Sequence, residues 1–561
     1  MEIDSAGSGP VSIRPPDSGR PGWSWRVGLI VVAGIIAVPV LVIIASLAQP
    51  FSGIWEHLLD TVLADYVVNS LLLMAGVGIG TSLLGVCAAW LTGMCEFPGR
   101  RFFGWALLLP MAMPAYIIAY TYTGLLDFTG PVQTALRASF DLGYGDYWFP
   151  PIRSLGGAIC MLSLVLYPYV YLLVRVAFVE QSTAVLEASR SLGRGPWRTL
   201  FSVALPMARP ALAAGVSLAL METLADYGTV DYFGVSVFTT GIFRTWYGLG
   251  ELTAAAQLAS FLLVFVFIVL ALERSSRRRM RFHQGYARKH PSRIVLQGWR
   301  GASALLVSTT MLFAGFLLPV GQLVLWTARN WRGNVDAAFF HLMQNSFLLA
   351  AIASACCLFV AVFLAYGKRL YPGALQESAV RVAAIGYAVP GVVIAVGVLI
   401  PFAWLDNRVD AFARDTFGVS TGLLLSGTLA ALVFAYVVRF LSVSLQSVES
   451  GLTRITPGLD ESARSLGLSP RQVLHRVHLP ILRGSLLTAL LLVFVDVLKE
   501  LPATLILRPF NFNTLAVRTY ELASDERLAD AATPALAIVL IGLLPVILLT
   551  RSISRGGGAR G

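Results

Sequence analysis

Two stretches of this chain, EASRSLGRGPWRTLFSVALP at residues 187–206 and ESARSLGLSPRQVLHRVHLP at 461–480, are copies of one another and decide its organisation. Extended to 187–210 against 461–484, 11 of 24 positions are identical at an offset of 274. The correspondence continues outward at an offset of 276, where Asn69-Ser70 falls on Asn345-Ser346 and Pro114 on Pro390. A period near 275 is too long for a stacked solenoid and suits two fused homologous halves.

Around the copies lie about twelve apolar runs, at 27–48, 67–92, 103–125, 155–178, 208–235, 253–272, 302–327, 345–366, 379–404, 421–445, 484–507 and 532–550. Each approaches the roughly 20 residues that a helix needs to cross a hydrocarbon core. The chain is 56% hydrophobic and only 13% charged, where soluble proteins carry about a quarter charged residues. The runs are too long and too uniformly apolar for barrel strands, so the spans are helical. The expected fold class is an all-α integral membrane protein. Six spans separate the two copies, an even number, so the six-helix halves are parallel and related by an axis along the membrane normal.

The formal net charge of +11 follows the membrane rather than a nucleic acid. With the N-terminus in the cytoplasm, about 29 of the 42 Lys and Arg fall on the cytoplasmic side and about 10 on the other, as the positive-inside rule requires. Both termini are then cytoplasmic, in a bacterial inner membrane. The chain divides into a disordered tail (1–26), a first half (27–273), a basic linker (274–301), a second half (302–550) and a second tail (551–561). The run 27–48 is long for a signal-peptide core, although Ala45-Ser46-Leu47-Ala48 has the look of a cleavage site, and it is read as a retained anchor. The five cysteines lack ligand-like spacing and imply neither disulfides nor a metal cluster.

Each repeated segment reads as a short cytoplasmic helix stopped by Gly193 or Gly467 in a left-handed turn. A second helix follows. In the second copy Ser469 caps it, Pro470 fits its first turn and Gln472 completes a capping box. Pro206 and Pro480 are expected to end that helix and turn the chain into the next span. His475 and His478 are expected to be a solvated or partner-facing pair, not metal ligands, because no Cys or third His joins them.

The spacing of Glu, small residues, Gly and a late Leu-Pro resembles the EAA motif of ABC importer permeases. That resemblance implies a type I importer permease architecture, in which these loops dock on nucleotide-binding subunits. It assigns Glu187, Ala188, Gly193 and Pro206, with Glu461, Ser462, Gly467 and Pro480, to ATPase coupling. The second residue of the second copy is Ser462 rather than Ala, a small-for-small departure. The chain has no GxxxxGK[ST] loop: Gly367-Lys368 is followed by Arg369, without the hydroxyl a magnesium site needs. ATP and magnesium are therefore expected on a partner ATPase, in two copies given the two docking motifs, and this chain is expected to bind no cofactor and to be no enzyme. No HExxH or GxSxG arrangement suggests hydrolase chemistry.

Charges at membrane depth cost roughly 2.5–3.5 kcal/mol and usually face a cavity or a partner. The fifth span carries Glu222 and Asp226, and the eleventh Asp496, Lys499 and Glu500. Glu222 corresponds to Asp496 and Asp226 to Glu500, and each pair, four apart, is expected on one helix face. Two roles suit them: lining an acidic path with Tyr227, or holding the bundle together through Lys499 and backbone groups. The segments METLADYGTVDYFGV from Met221 and KELPATLILRPFNFNTLAVRTYE from Lys499 resemble ferric iron ABC permeases of the fused class. That implies delivery by a periplasmic binding protein and ferric iron as cargo, for which carboxylate and phenolate oxygens are suitable ligands. No stable metal site is expected. Fused permeases for thiamine or other small solutes share the architecture. A twelve-span secondary transporter would need no docking motif, and a channel would need a filter-like loop.

Overall fold

The computed structural model describes residues 21–143, 145–181, 189, 191–193, 195–278 and 293–558. Among them eleven helices are long and apolar enough to cross a membrane, and one bent pair, Arg100–Ala112 with Ala115–Phe140 at 92°, raises the number to twelve. Each of the twelve expected runs meets one of these. The expected N-terminal tail falls mostly outside the described residues.

Four of the expected runs are interrupted, two per half, and the tenth helix begins at Leu429, past the expected 421. The third and ninth expected spans are each broken before the proline that the repeat had paired. Met113 (φ −90°, ψ 118°) and Val389 (φ −86°, ψ 128°) are extended, because a proline ring pushes the preceding residue out of the helical region and brings no N–H of its own. Helices then restart at Ala115 and Gly391. The fifth and eleventh spans stop at Ala225 and Leu498, short of the expected 235 and 507. New short helices, Gly228–Tyr232 and Pro502–Leu507, follow each stop.

The second, fourth and fifth spans pack together in the first half, as the eighth, tenth and eleventh do in the second. The outer spans cross over. Leu29, Ile36 and Ile43 of the first span and Ala255, Leu262 and Val266 of the sixth belong to the core of the second half. Met311, Phe316 and Leu323 of the seventh span and Ala535 and Val539 of the twelfth complete the core of the first. Neither half buries its apolar faces without the other. Beyond the sixth span, Ile294–Val295 pairs in parallel with Cys95–Glu96 of the loop after the second span, and Glu96 binds both Arg100 and Arg293. This puts the two loops on one face of the protein, as the expected topology requires.

Candidate translocation cavity and coupling hairpins

The four breaks converge. Met113, Pro114, Ala115 and Tyr116 from the first, Asp226, Tyr227 and Gly228 from the second, Tyr387 beside the third, and Lys499 to Pro502 from the fourth line one cavity of about 140 Å³. Non-helical backbone at membrane depth is tolerated where it lines such a space. All six residues that the sequence singled out for a path, Glu222, Asp226, Tyr227, Asp496, Lys499 and Glu500, are on its wall.

They do not act as two equal helix-face pairs. Asp226 lies past the end of its helix and turns its carboxylate onto the next one, accepting from the Thr229 and Val230 amides (3.1 and 3.2 Å) and the Thr229 hydroxyl (3.0 Å). Glu500 repeats the arrangement with the Ala503 and Thr504 amides (2.9 and 3.0 Å) and the Thr504 hydroxyl (2.6 Å). Each satisfies the free N–H groups of a helix start. The expected face pairing fails because the helix ends between the two carboxylates. Glu222 and Asp496 stay on the helices proper. Tyr387 donates to Glu222 at 3.0 Å, and Lys499 pairs with Asp496 at 2.9 Å.

Sequence reasoning missed Arg439, whose guanidinium lies 3.3 Å from Glu500. Its partner at the 274 offset is Val165, so no repeat signal marks it. A Cβ at residue 391 would sit 2.0 Å from the Arg439 guanidinium and 2.8 Å from the Glu500 carboxylate. Only glycine allows this ion pair to press against the helix restart. Tyr116, Tyr169 and Tyr387 add phenols to the wall. They lie in apolar runs and carry no spacing signal.

On the opposite end of the fifth and eleventh spans are the repeated hairpins. Glu187 and Ala188 lie outside the described residues. Gly193 and Gly467 have φ of +74° and +82°, the left-handed turns that were expected. At Gly467 the Gly467 amide bonds the Arg464 carbonyl and the Leu468 amide the Ala463 carbonyl, the two bonds of a Schellman stop. The Ser469 and Gln472 capping box is present in both directions. Glu461 and Ser462 are exposed on the first helix of that hairpin. In the first hairpin Trp197 and Phe201 are exposed and stacked at 6.4 Å; the second has Arg471 and His475 at these positions.

Pro206 and Pro480 do not end their helices. Each follows a widened turn, Leu200–Ala204 or Leu474–His478, and the helix continues, giving single rods Pro196–Ala225 and Pro470–Leu498. The widened turn relieves the carbonyl that would meet the proline ring. The expectation for the histidines also fails for one of them. His475 is exposed, but His478 is buried with Nε2 2.5 Å from Asp460, which also accepts from Arg369 at 2.9 Å. Burial alone would raise the Asp460 carboxyl, yet the hydrogen bonds from Arg369 and His478 outweigh it and hold the group below its ordinary value. The first copy has Ala204 in place of His478, so only the second hairpin has this latch.

The pattern that defines the binding-protein-dependent transport system inner membrane components matches residues 82–282 and again 357–555. The chain belongs to that family. It is a multi-pass inner membrane permease of a binding-protein-dependent ABC importer, has no ATPase activity, and works with an ATPase and a binding protein. The two matches correspond to the two halves of the repeat. Over 536 residues the chain is 25% identical to a Fe(3+)-transport system permease protein of Haemophilus influenzae, covering 94% of this chain and 98% of that one. It is 24% identical over 470 residues to a ferric transport system permease protein of Actinobacillus pleuropneumoniae, covering 79% and 64%. A sulfate transport system permease protein of Escherichia coli is 30% identical over 222 residues, covering 39% of this permease and 76% of the relative.

Proposed function

We propose that this permease carries ferric iron, released by a periplasmic binding protein, to the cytoplasm through the cavity where its helix breaks converge. The observation that carries the reading is the charge of that wall. Four carboxylates, Glu222, Asp226, Asp496 and Glu500, face two cations, Arg439 and Lys499. A hard cation finds oxygen ligands there, whereas an oxyanion such as sulfate meets an excess of like charge. Near-complete alignment with a relative named for Fe(3+) transport supports the same direction. The sulfate-named relative aligns with less than half of this chain.

In this reading the hairpins around Gly193 and Gly467 dock on two ATPase chains, which bind ATP and magnesium, with both termini on the same cytoplasmic side. Glu461, Ser462 and the exposed Trp197 and Phe201 contribute to the docking faces. The rods Pro196–Ala225 and Pro470–Leu498 run from the hairpins to the cavity wall. The test is reconstitution in vesicles with the partner ATPase and binding protein, comparing initial uptake of labelled ferric iron and labelled sulfate. Iron uptake that requires ATP and the binding protein is expected; ATP-dependent sulfate uptake without iron uptake overturns the reading.

A further inference from the structure

We infer that the cation in transit is held across the cavity, with Glu222 as its anionic ligand and the Tyr116 hydroxyl as a neutral one, while Lys499 and Arg439 keep the second half's carboxylates engaged and out of the site. The inference rests on the iron reading and deepens it. It begins from an asymmetry between halves that are otherwise in register. The fourth and tenth spans start at Leu155 and Leu429, at the 274 offset, after caps by Ser154 and Thr428. At the same offset the second half has Arg439 and Lys499 where the first has Val165 and Ala225, and all four residues line the cavity.

The four carboxylates therefore differ in what they have left to offer. Asp226 and Glu500 spend both oxygens on helix starts, and Glu500 has Arg439 as well. Asp496 is 2.9 Å from Lys499. Glu222 receives one hydrogen bond, from Tyr387 to Oε1. Among the described residues no Lys, Arg or His lies within ion-pair distance of it. Lys499 reaches Glu222 only through space, across the cavity, and a carboxylate at membrane depth without a direct ion pair is costly, so a cation in the cavity is its natural partner.

A second, independent observation points to a ligand in the same cavity, on its Glu500 side. Tyr116 is only 5% exposed, lines the same cavity, and its hydroxyl has no hydrogen-bond partner. A buried hydroxyl without a partner is costly, a cost that a passing cation or its bound water removes. One charged ligand with one neutral oxygen is a weak site. Weakness suits transit, because a site that binds too well does not release. Lys499 is then the device that stops Asp496 from adding a second free carboxylate and turning the stopover into a trap.

The test uses the full chain in detergent with terbium(III), a soluble hard trivalent cation whose emission is sensitised by nearby tyrosine, and the reconstituted importer for labelled iron uptake. Glu222→Gln should lower terbium affinity and iron uptake at least tenfold without lowering the melting temperature. Tyr116→Phe should lower both several-fold. Lys499→Met should move in the opposite direction for binding, raising terbium affinity several-fold while slowing turnover. Unchanged uptake in Glu222→Gln overturns the inference, as does lost uptake with a collapsed melting temperature, or a Lys499→Met that weakens terbium as Glu222→Gln does. Glu222-dependent terbium binding in a wild type that imports no iron leaves the site standing and overturns the iron reading alone.

Discussion

Replacing Gly467 by valine separates backbone strain from every other effect. Among the described residues a Cβ at Gly467 meets nothing within 4 Å, so no clash at that atom contributes. What remains is the left-handed backbone, φ +82° at Gly467. That conformation costs an ordinary L-residue about 1–2 kcal/mol, and β-branching puts valine at the upper end. Relief requires untwisting the turn, which breaks the Gly467 and Leu468 amide bonds back to Arg464 and Ala463. A cost of that size shifts the population of the turned hairpin by about 5–30-fold. The spans themselves are untouched, so membrane insertion and yield should match wild type. Substrate-stimulated ATPase activity in vesicles, with binding protein in excess, should fall by a factor within that range. Gly467→Asn is the control, because asparagine tolerates the left-handed region and should keep most of the stimulation. Equal stimulation in the valine and asparagine variants, whether both normal or both lost, would refute the strain argument.

Asp460→Asn should lower the melting temperature at neutral pH and converge on wild type in acid. The carboxyl is depressed in the folded state, so its contribution is complete above the ordinary value of about 3.8 and is lost as pH falls below that through the folded value; a gap that persists unchanged well below it in thermal melts counts against the latch. Glu500→Gln should destabilise the protein more than Asp226→Asn: each weakens a helix start by about 0.5–2 kcal/mol, but Glu500→Gln also strands the mostly buried Arg439. Melting of Glu500→Gln with Arg439→Met should recover part of the loss, and no recovery would detach Arg439 from this account. In a background without native cysteines, Ser469→Cys should react with an impermeant maleimide only from the cytoplasmic face and Asp141→Cys only from the periplasmic face. Labelling of both from one side breaks the topology.

The spans were legible because hydrocarbon imposes a length and a composition that no tertiary contact overrides. The hairpins were legible for a local reason: a glycine stop and a capping box are determined by a few adjacent residues, and both formed as expected. Pro206 and Pro480 misled because a proline has two outcomes, a stop or a widened turn, and the sequence near Leu205 and Leu479 does not choose between them. The carboxylates misled in a related way. A four-residue spacing places Asp226 beside Glu222 only while the helix lasts, and the chain stops it at Ala225. His478 looked like a surface residue since its partner Asp460, and Arg369, the other donor to that carboxylate, are 18 and 109 positions away. Arg439 and Tyr116 had no visible mark at all. Their importance comes from which breaks meet in space, and the crossing of the outer spans between the two cores is likewise a long-range property.

The breaks and the rods answer a single mechanical requirement. A helix of 30 residues from Pro196 to Ala225 spans about 45 Å, enough to connect a hairpin outside the bilayer with a cavity inside it without a joint in the apolar middle. A tilt of about 10° in such a rod moves its far end by about 8 Å, larger than an ion and its first coordination shell. The end that moves carries Glu222 at its last full turn, followed at once by the break at Asp226. Because Asp226 and Glu500 bind the next helix start to the rod's end, the short helices Gly228–Tyr232 and Pro502–Leu507 must travel with the rods. The place where the rods can give is the widened turn before Pro206 or Pro480, and in the second half that turn ends at His478, tied by Asp460 to Arg369 of the eighth span. The first rod has Ala204 there, whose carbonyl accepts from the Gln181 amide at 2.7 Å. One neutral hydrogen bond holds the first turn where a carboxylate bridging two bases holds the second, so displacement of the hairpins should move the first rod, which carries Glu222, more freely than the second.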